Sequence, residues 1–226
     1  MKKLSLLLTL LVYQLACGQT VEWQRQFSVG FSISYASGII SYDDSSFYSM
    51  AAIRKWGYNV PNGATAMGIG FVKIKSGTGD TVFVKRIPGW TTGSLKILKS
   101  FEGNLVFASA SYGDTIYHSK ILVQKLDTNG NSIWVCPILS GFSNPMLSKV
   151  LPTSDGGTFI LGSALSTIGG FQDFFLIKVS YTGQLLWSHR YSGGLNWYCE
   201  ANNIEPLRNG NYLISGMAER LIWSVE

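Results

Sequence analysis

Charge is scarce in this chain: Asp, Glu, Lys and Arg make up 14% of its 226 residues, against about a quarter in ordinary soluble domains. The net excess is five positive charges. Lys2 and Lys3 account for two of them and the others are scattered, so the clustered footprint of a nucleic-acid binder is absent. Histidine is limited to His118 and His189, and no His, Cys and Asp group has metal-ligand spacing. The calcium-like start Asp127-Thr128-Asn129-Gly130-Asn131 fails at positions six and twelve, where Ser132 and Ile138 replace Gly and Glu; it reads as a hairpin turn. There is no G-x-S-x-G elbow, and the glycines of Gly77-Thr78-Gly79-Asp80 occupy a repeated turn, so they do not cradle phosphate. These gaps leave no candidate catalytic residue, metal site or cofactor.

Cysteine and long apolar runs are equally sparse. The cysteines are Cys17, Cys136 and Cys199, too few for a disulfide framework. Nothing in the sequence brings Cys136 and Cys199 within bridging distance, so a bridge and a pair of buried thiols both stay open. Leu4 to Leu15 is the longest apolar stretch, short of the roughly 20 residues that a membrane span needs. With Lys2 and Lys3 before it and Ala16-Cys17-Gly18 after it, it has the layout of a signal peptide over residues 1–18. Export to the periplasm, cell surface or medium follows as an expectation. Leu15-Ala16-Cys17 also has the look of a lipobox, which would place a lipid anchor at Cys17, although Gln14 stands where that box wants Leu.

Repetition is what the sequence does have. Residues 71–87 read FVKIKSGTGDTVFVKRI, 121–138 ILVQKLDTNGNSIWVCPI and 174–192 FFLIKVSYTGQLLWSHRYS. Each is an alternating strand, a Gly turn and a second strand with an aromatic anchor, at a period of about fifty residues. FEGNLVFASA at 101–110, SDGGTFILGSA at 154–164 and RNGNYLISGMA at 208–218 add a second hairpin half to each repeat. Four strands per repeat with no helical periodicity predict an all-β β-propeller of four-stranded antiparallel blades. About four blades are expected in residues 19–226, drawn at 21–70, 71–120, 121–173 and 174–220. VEWQRQFS at 21–28 aligns with a second strand of the repeat and LIWSVE at 221–226 with a first. The two ends are therefore expected to close blade one, or 221–226 opens a fifth blade of a larger ring.

FLIKVSYTGQLLW followed by SGG, and SDGGTFILGS followed by GGFQDFFLIK, resemble the propeller repeats of secreted proteins of the Bacteroidota. Such proteins often carry a C-terminal type IX sorting domain, which this chain, ending at Glu226, departs from. The resemblance implies fold and export and is nearly silent on activity. SYTGQLLW is also similar to the repeat of quinoprotein dehydrogenases, but their adjacent cysteines and calcium-binding set are missing, and shared architecture does not confer chemistry.

Two groups of aromatics separate by position. Trp23, Phe83, Trp134 and Trp187 occupy one equivalent site and are read as structural blade anchors. Trp56 and Tyr58 in the long segment 51–70, Trp90 after Pro88-Gly89, and Trp197 with Tyr198 fall in connections that share one face of a propeller. Loops on a rigid scaffold are where binding residues collect, and flat rings beside Arg54 and Lys55 suit a sugar or a peptide. The leading expectation is a non-catalytic exported module that binds a glycan or protein partner. The alternative is a polysaccharide-active hydrolase or lyase with acids in the central channel.

Overall fold

The computed structural model describes residues 33–54, 67–87, 94–111, 120–138, 142–165 and 171–220. These residues form strands and turns only, with no helix among them. The first sheet runs in the order β1 (Ile33–Asp43), β2 (Ser46–Arg54), β3 (Met67–Lys75), β4 (Thr81–Ile87). The second holds β5 (Ser94–Lys99), β6 (Leu105–Ser111), β7 (Lys120–Leu126) and β8 (Ser132–Ile138). The third holds β9 (Ser143–Pro152), β10 (Thr158–Leu165), β11 (Gln172–Val179) and β12 (Leu185–Tyr191). β13 (Trp197–Pro206) and β14 (Tyr212–Arg220) pair as a two-stranded sheet. Every pairing is antiparallel between chain neighbours. The fold is a β-propeller of such sheets.

Burial explains why the strands of one sheet read differently. β10 and β11 are covered on both faces by neighbouring sheets, and TFILGSAL and QDFFLIKV are buried almost throughout; a strand covered on both sides needs a continuous apolar run. Among the described residues β4 and β12 are edge strands of their sheets, and most of their positions are exposed or half-buried. The first strands pack on one another in series, β1 on β5, β5 on β9 and β9 on β13. They are therefore innermost around the propeller axis. Apolar side chains collect between sheets: Tyr48, Phe71 and Phe107 between the first and second, Val123, Ile160 and Phe175 between the second and third, and Phe159, Leu176 and Ile204 between the third and β13–β14.

The sheets are offset by half a repeat from the blades drawn at 21–70, 71–120, 121–173 and 174–220. A hairpin such as 71–87 is the second half of its sheet, not the first. A periodic sequence fixes the repeat length but not the loop at which one sheet ends, because either loop interrupts the alternation equally. The ring closure expected from 21–28 and 221–226, like the leader and Cys17, lies outside the described residues.

Phe83, Trp134 and Trp187 share one register position, opposite Lys73, Lys125 and Lys178. Trp134 packs on the core between the second and third sheets and its indole N–H donates to the Tyr181 carbonyl of the next sheet at 3.0 Å. Trp187 packs beside Phe159, Leu176 and Ile204, and Phe83 beside Phe71. Trp23 lies outside the described residues. Cys136 and Cys199 are free, buried thiols, and burial pushes the Cys136 thiol up from its ordinary value. Asp127 accepts from the backbone N–H groups of Asn129 and Asn131 at 2.9 and 2.7 Å, closing the β7–β8 turn.

Candidate functional site

Antiparallel order sorts the connections onto two ends of the sheets. The tight turns within each hairpin, such as 127–131 and 180–184, lie at one end. The β2–β3, β6–β7 and β10–β11 connections and all sheet-to-sheet connections lie at the other. Trp56, Tyr58 and Trp90 lie outside the described residues.

Trp197 and Tyr198 are described, and they open a strand where the sequence places them in a loop. The turn closes before them: Gly194 and Asn196 take φ of 101° and 65°, and Trp197 N donates to the Gly194 carbonyl at 3.4 Å. Trp197 then pairs with Arg220 and Tyr198 with Glu219. Both rings are half-buried, and Leu195 beside them is 67% exposed.

The register of this hairpin assembles a group of acids. Glu200 pairs with Met217, so Glu219, opposite Tyr198, is its diagonal neighbour on the same face. Diagonal positions stand about 7–8 Å apart. The Tyr198 hydroxyl donates to Glu200 Oε2 at 3.2 Å. Burial, and then the Glu200 charge and hydrogen bond, raise the Tyr198 phenol above its ordinary value, so it remains a donor at neutral pH. Glu200 lies on an innermost strand and Glu219 on the second strand of the same hairpin.

A third acid lies within the third sheet, on β11. Asp173, 3% exposed, stands with Arg190 Nε 3.0 Å from its Oδ2, without the alignment of a true hydrogen bond. Arg190 also donates to the Leu165 carbonyl at 2.6 Å and lies over the Phe142 ring at 5.4 Å. A buried carboxylate with a guanidinium partner is already neutralised, which marks it as structural. His189 lies between the rings of Trp187 and Tyr191; His118 lies outside the described residues. Among the described residues no cluster of His, Cys, Asp and Glu could hold a metal ion, and no helix is long and apolar enough to cross a membrane.

Glu200 and Glu219 were not legible as site residues. Glu200 and Glu219 are nineteen positions apart in sequence and meet only through the hairpin. Asp173 did carry a signal, a charged residue inside an otherwise apolar strand, GGFQDFFLIK.

No family model matches the chain, and no curated protein matches its sequence. Solved structures do resemble it. An endo-arabinase from Bacteroides thetaiotaomicron VPI-5482 is 11% identical with a TM-score of 0.50, over 82% of this chain and 74% of that one. A xylan β-1,4-xylosidase from Bacillus halodurans C-125 is 13% identical with a TM-score of 0.47, over 85% and 38%. The GH43 BlXynB protein from Bacillus licheniformis is 14% identical with a TM-score of 0.43, over 81% and 37%. The chain thus spans under two-fifths of the last two. These neighbours are β-propeller glycoside hydrolases. Identity this low speaks for fold and not for chemistry.

Proposed function

We propose that the protein is a polysaccharide-active hydrolase whose carboxylates are Glu200 and Glu219. The observation that carries this reading is their diagonal placement on one face of β13–β14, at the loop-bearing end. Glycosidic cleavage needs two carboxyl groups flanking the scissile bond, about 5–5.5 Å apart with a covalent intermediate and about 6.5–9.5 Å apart where a water attacks directly. The register puts the two carboxyl groups on one face, and the stereochemistry of the released sugar tells which of the two arrangements operates. Tyr198 orients Glu200, while Trp197, opposite Arg220, lies on the other face of the strand. The fold shared with an endo-arabinase is an analogy that agrees with this reading.

The test is release of reducing ends from arabinan and xylan. Glu200→Gln and Glu219→Gln are each expected to lower kcat by about 10²–10⁴ while binding of the polymer persists.

One observation favours a second reading, binding without turnover: Glu219 is exposed, where water screens charge. In that case Trp197 and Tyr198, together with Trp56, Tyr58 and Trp90, would hold a glycan or protein partner. Polymer binding that Trp197→Ala weakens, with no reducing ends released by the unaltered protein, would replace the hydrolase reading by this one. The signal-peptide pattern at 1–18 supports action outside the cell; a mature mass starting at Gln19 is the result expected, and acylated Cys17 would make the protein membrane-anchored.

A further inference from the structure

A cavity of about 310 Å³ opens at the loop-bearing end of the third sheet, lined by Asn144, Met146, Leu165 and Gln172. Sheet register explains the set. Leu165 pairs with Gln172, and Met146 pairs with Ser163, two positions before Leu165. Alternation therefore puts Met146, Ser163, Leu165 and Gln172 on one face. That face looks toward β13, because Ser163 Oγ accepts from the Ala201 N–H at 3.3 Å. The volume is at the small end of ligand sites.

The chemistry of the lining is uneven. Met146 and Leu165 are 41% and 36% exposed, apolar surface turned to an opening. Gln172 is 5% exposed, and its Nε2 is buried with no hydrogen-bond partner. Tyr198 lies close enough for its phenol to respond to the Gln172 carboxamide, yet no bond of sound geometry reaches Nε2. A buried amide donor without an acceptor is costly, and rotation about the last torsion of Gln is soft, so the N–H can turn to an acceptor that arrives in the cavity. Among the described residues that line it, none carries a charged side chain. The lining joins the carboxamides of Asn144 and Gln172 to the apolar surface of Met146 and Leu165, which suits a group with a carbonyl at one end and a methyl at the other.

We propose that this cavity receives an acetyl substituent on a sugar of the polymer, its carbonyl accepting from Gln172 Nε2 and its methyl resting on Met146 and Leu165. The proposal rests on the glycan reading of the neighbouring Glu200 and Glu219 and specifies the polymer: a neutral, O-acetylated polysaccharide.

The experiment is calorimetric titration of the full chain with O-acetylated xylo-oligosaccharides and with the same preparation after mild alkaline deacetylation. Deacetylation is expected to weaken binding roughly tenfold, the worth of one hydrogen bond and one buried methyl. Gln172→Leu should remove that difference, and Leu165→Asp, at the more open rim, should do so without touching the buried strand position. Equal affinity for the two preparations overturns the acetyl cavity and leaves the glycan reading intact. No binding of either preparation overturns the acetyl cavity; arabinan and xylan assays then decide the glycan reading separately.

Discussion

Lys178 is 6% exposed, an unusual place for an ammonium group, and its neighbours show how the fold accommodates it. Its Nζ donates to Asp155 Oδ1 at 2.7 Å and to Thr153 Oγ1, and it lies 4.7 Å from the centre of the Phe159 ring. Lys125 repeats the arrangement one sheet earlier, 2.5 Å from Glu102 and over the Tyr181 ring at 5.2 Å. Hydrogen bonds from Lys178 and then Thr153 hold Asp155 down to about 2 from 3.8. A carboxylate depressed in the folded state contributes stability that is whole above its unfolded value and is lost as pH falls toward the folded one. Asp155→Asn is therefore expected to flatten the acid limb of the stability curve between about pH 4 and pH 2. At neutral pH it should cost no more than about 1 kcal/mol, because the Asp155 side chain is 60% exposed and Lys178 keeps its bond to Thr153. Urea midpoints from pH 2 to 7 measure both; parallel curves for the two proteins would show that Asp155 does not govern the acid limb.

At the level of the hairpin, fit between sheets depends on turns from one sheet lying under aromatics of another. Gly183 in the β11–β12 turn has φ of +86°, and a Cβ there would stand 2.6 Å from Trp134 Cδ2. Gly183→Ala meets both a left-handed backbone and an occupied space, so it should cost about 1–3 kcal/mol. The same change in a Trp134→Phe background should cost less, since the two sites touch; equal losses would assign the whole cost to the backbone. Hairpins of this kind were legible because a Gly turn between alternating strands has few other solutions. The acid pair was not, for a reason that lies in a single residue. Counting back along β13 and β14 from Pro206 and Tyr212 without interruption would set Glu219 opposite Cys199, on the face away from Glu200. The bulge between Ala201 and Asn203 shifts the register by one and brings Glu219 opposite Tyr198. A one-residue slip reverses every side chain beyond it, and alternation in a sequence does not announce where such a bulge falls.

Across the whole molecule the sheets are unequally supported. β6, β7, β10 and β11 are buried over most of their length, whereas β14 is exposed at seven of its nine residues, including Leu213 at 57% and Met217 at 47%. Local opening follows such differences, because strands with few buried apolar contacts separate at a free energy below that of global unfolding. Backbone amides of β13–β14 are expected to exchange with deuterium well before those of β10–β11, by about tenfold for each 1.4 kcal/mol of difference. Since Tyr198, Glu200 and Glu219 all sit on that hairpin, a bound polymer should slow exchange there first and leave the second sheet unchanged. Uniform protection of all four sheets in the free protein would instead mean that β14 has a partner along its open edge, which is the role that the strand-like patterns at 21–28 and 221–226 lead one to expect. Exchange of the full chain, followed by peptide with and without oligosaccharide, separates these outcomes. A slow β14 edge favours a closed ring that carries a rigid site, and a fast one favours a site that is ordered by its ligand.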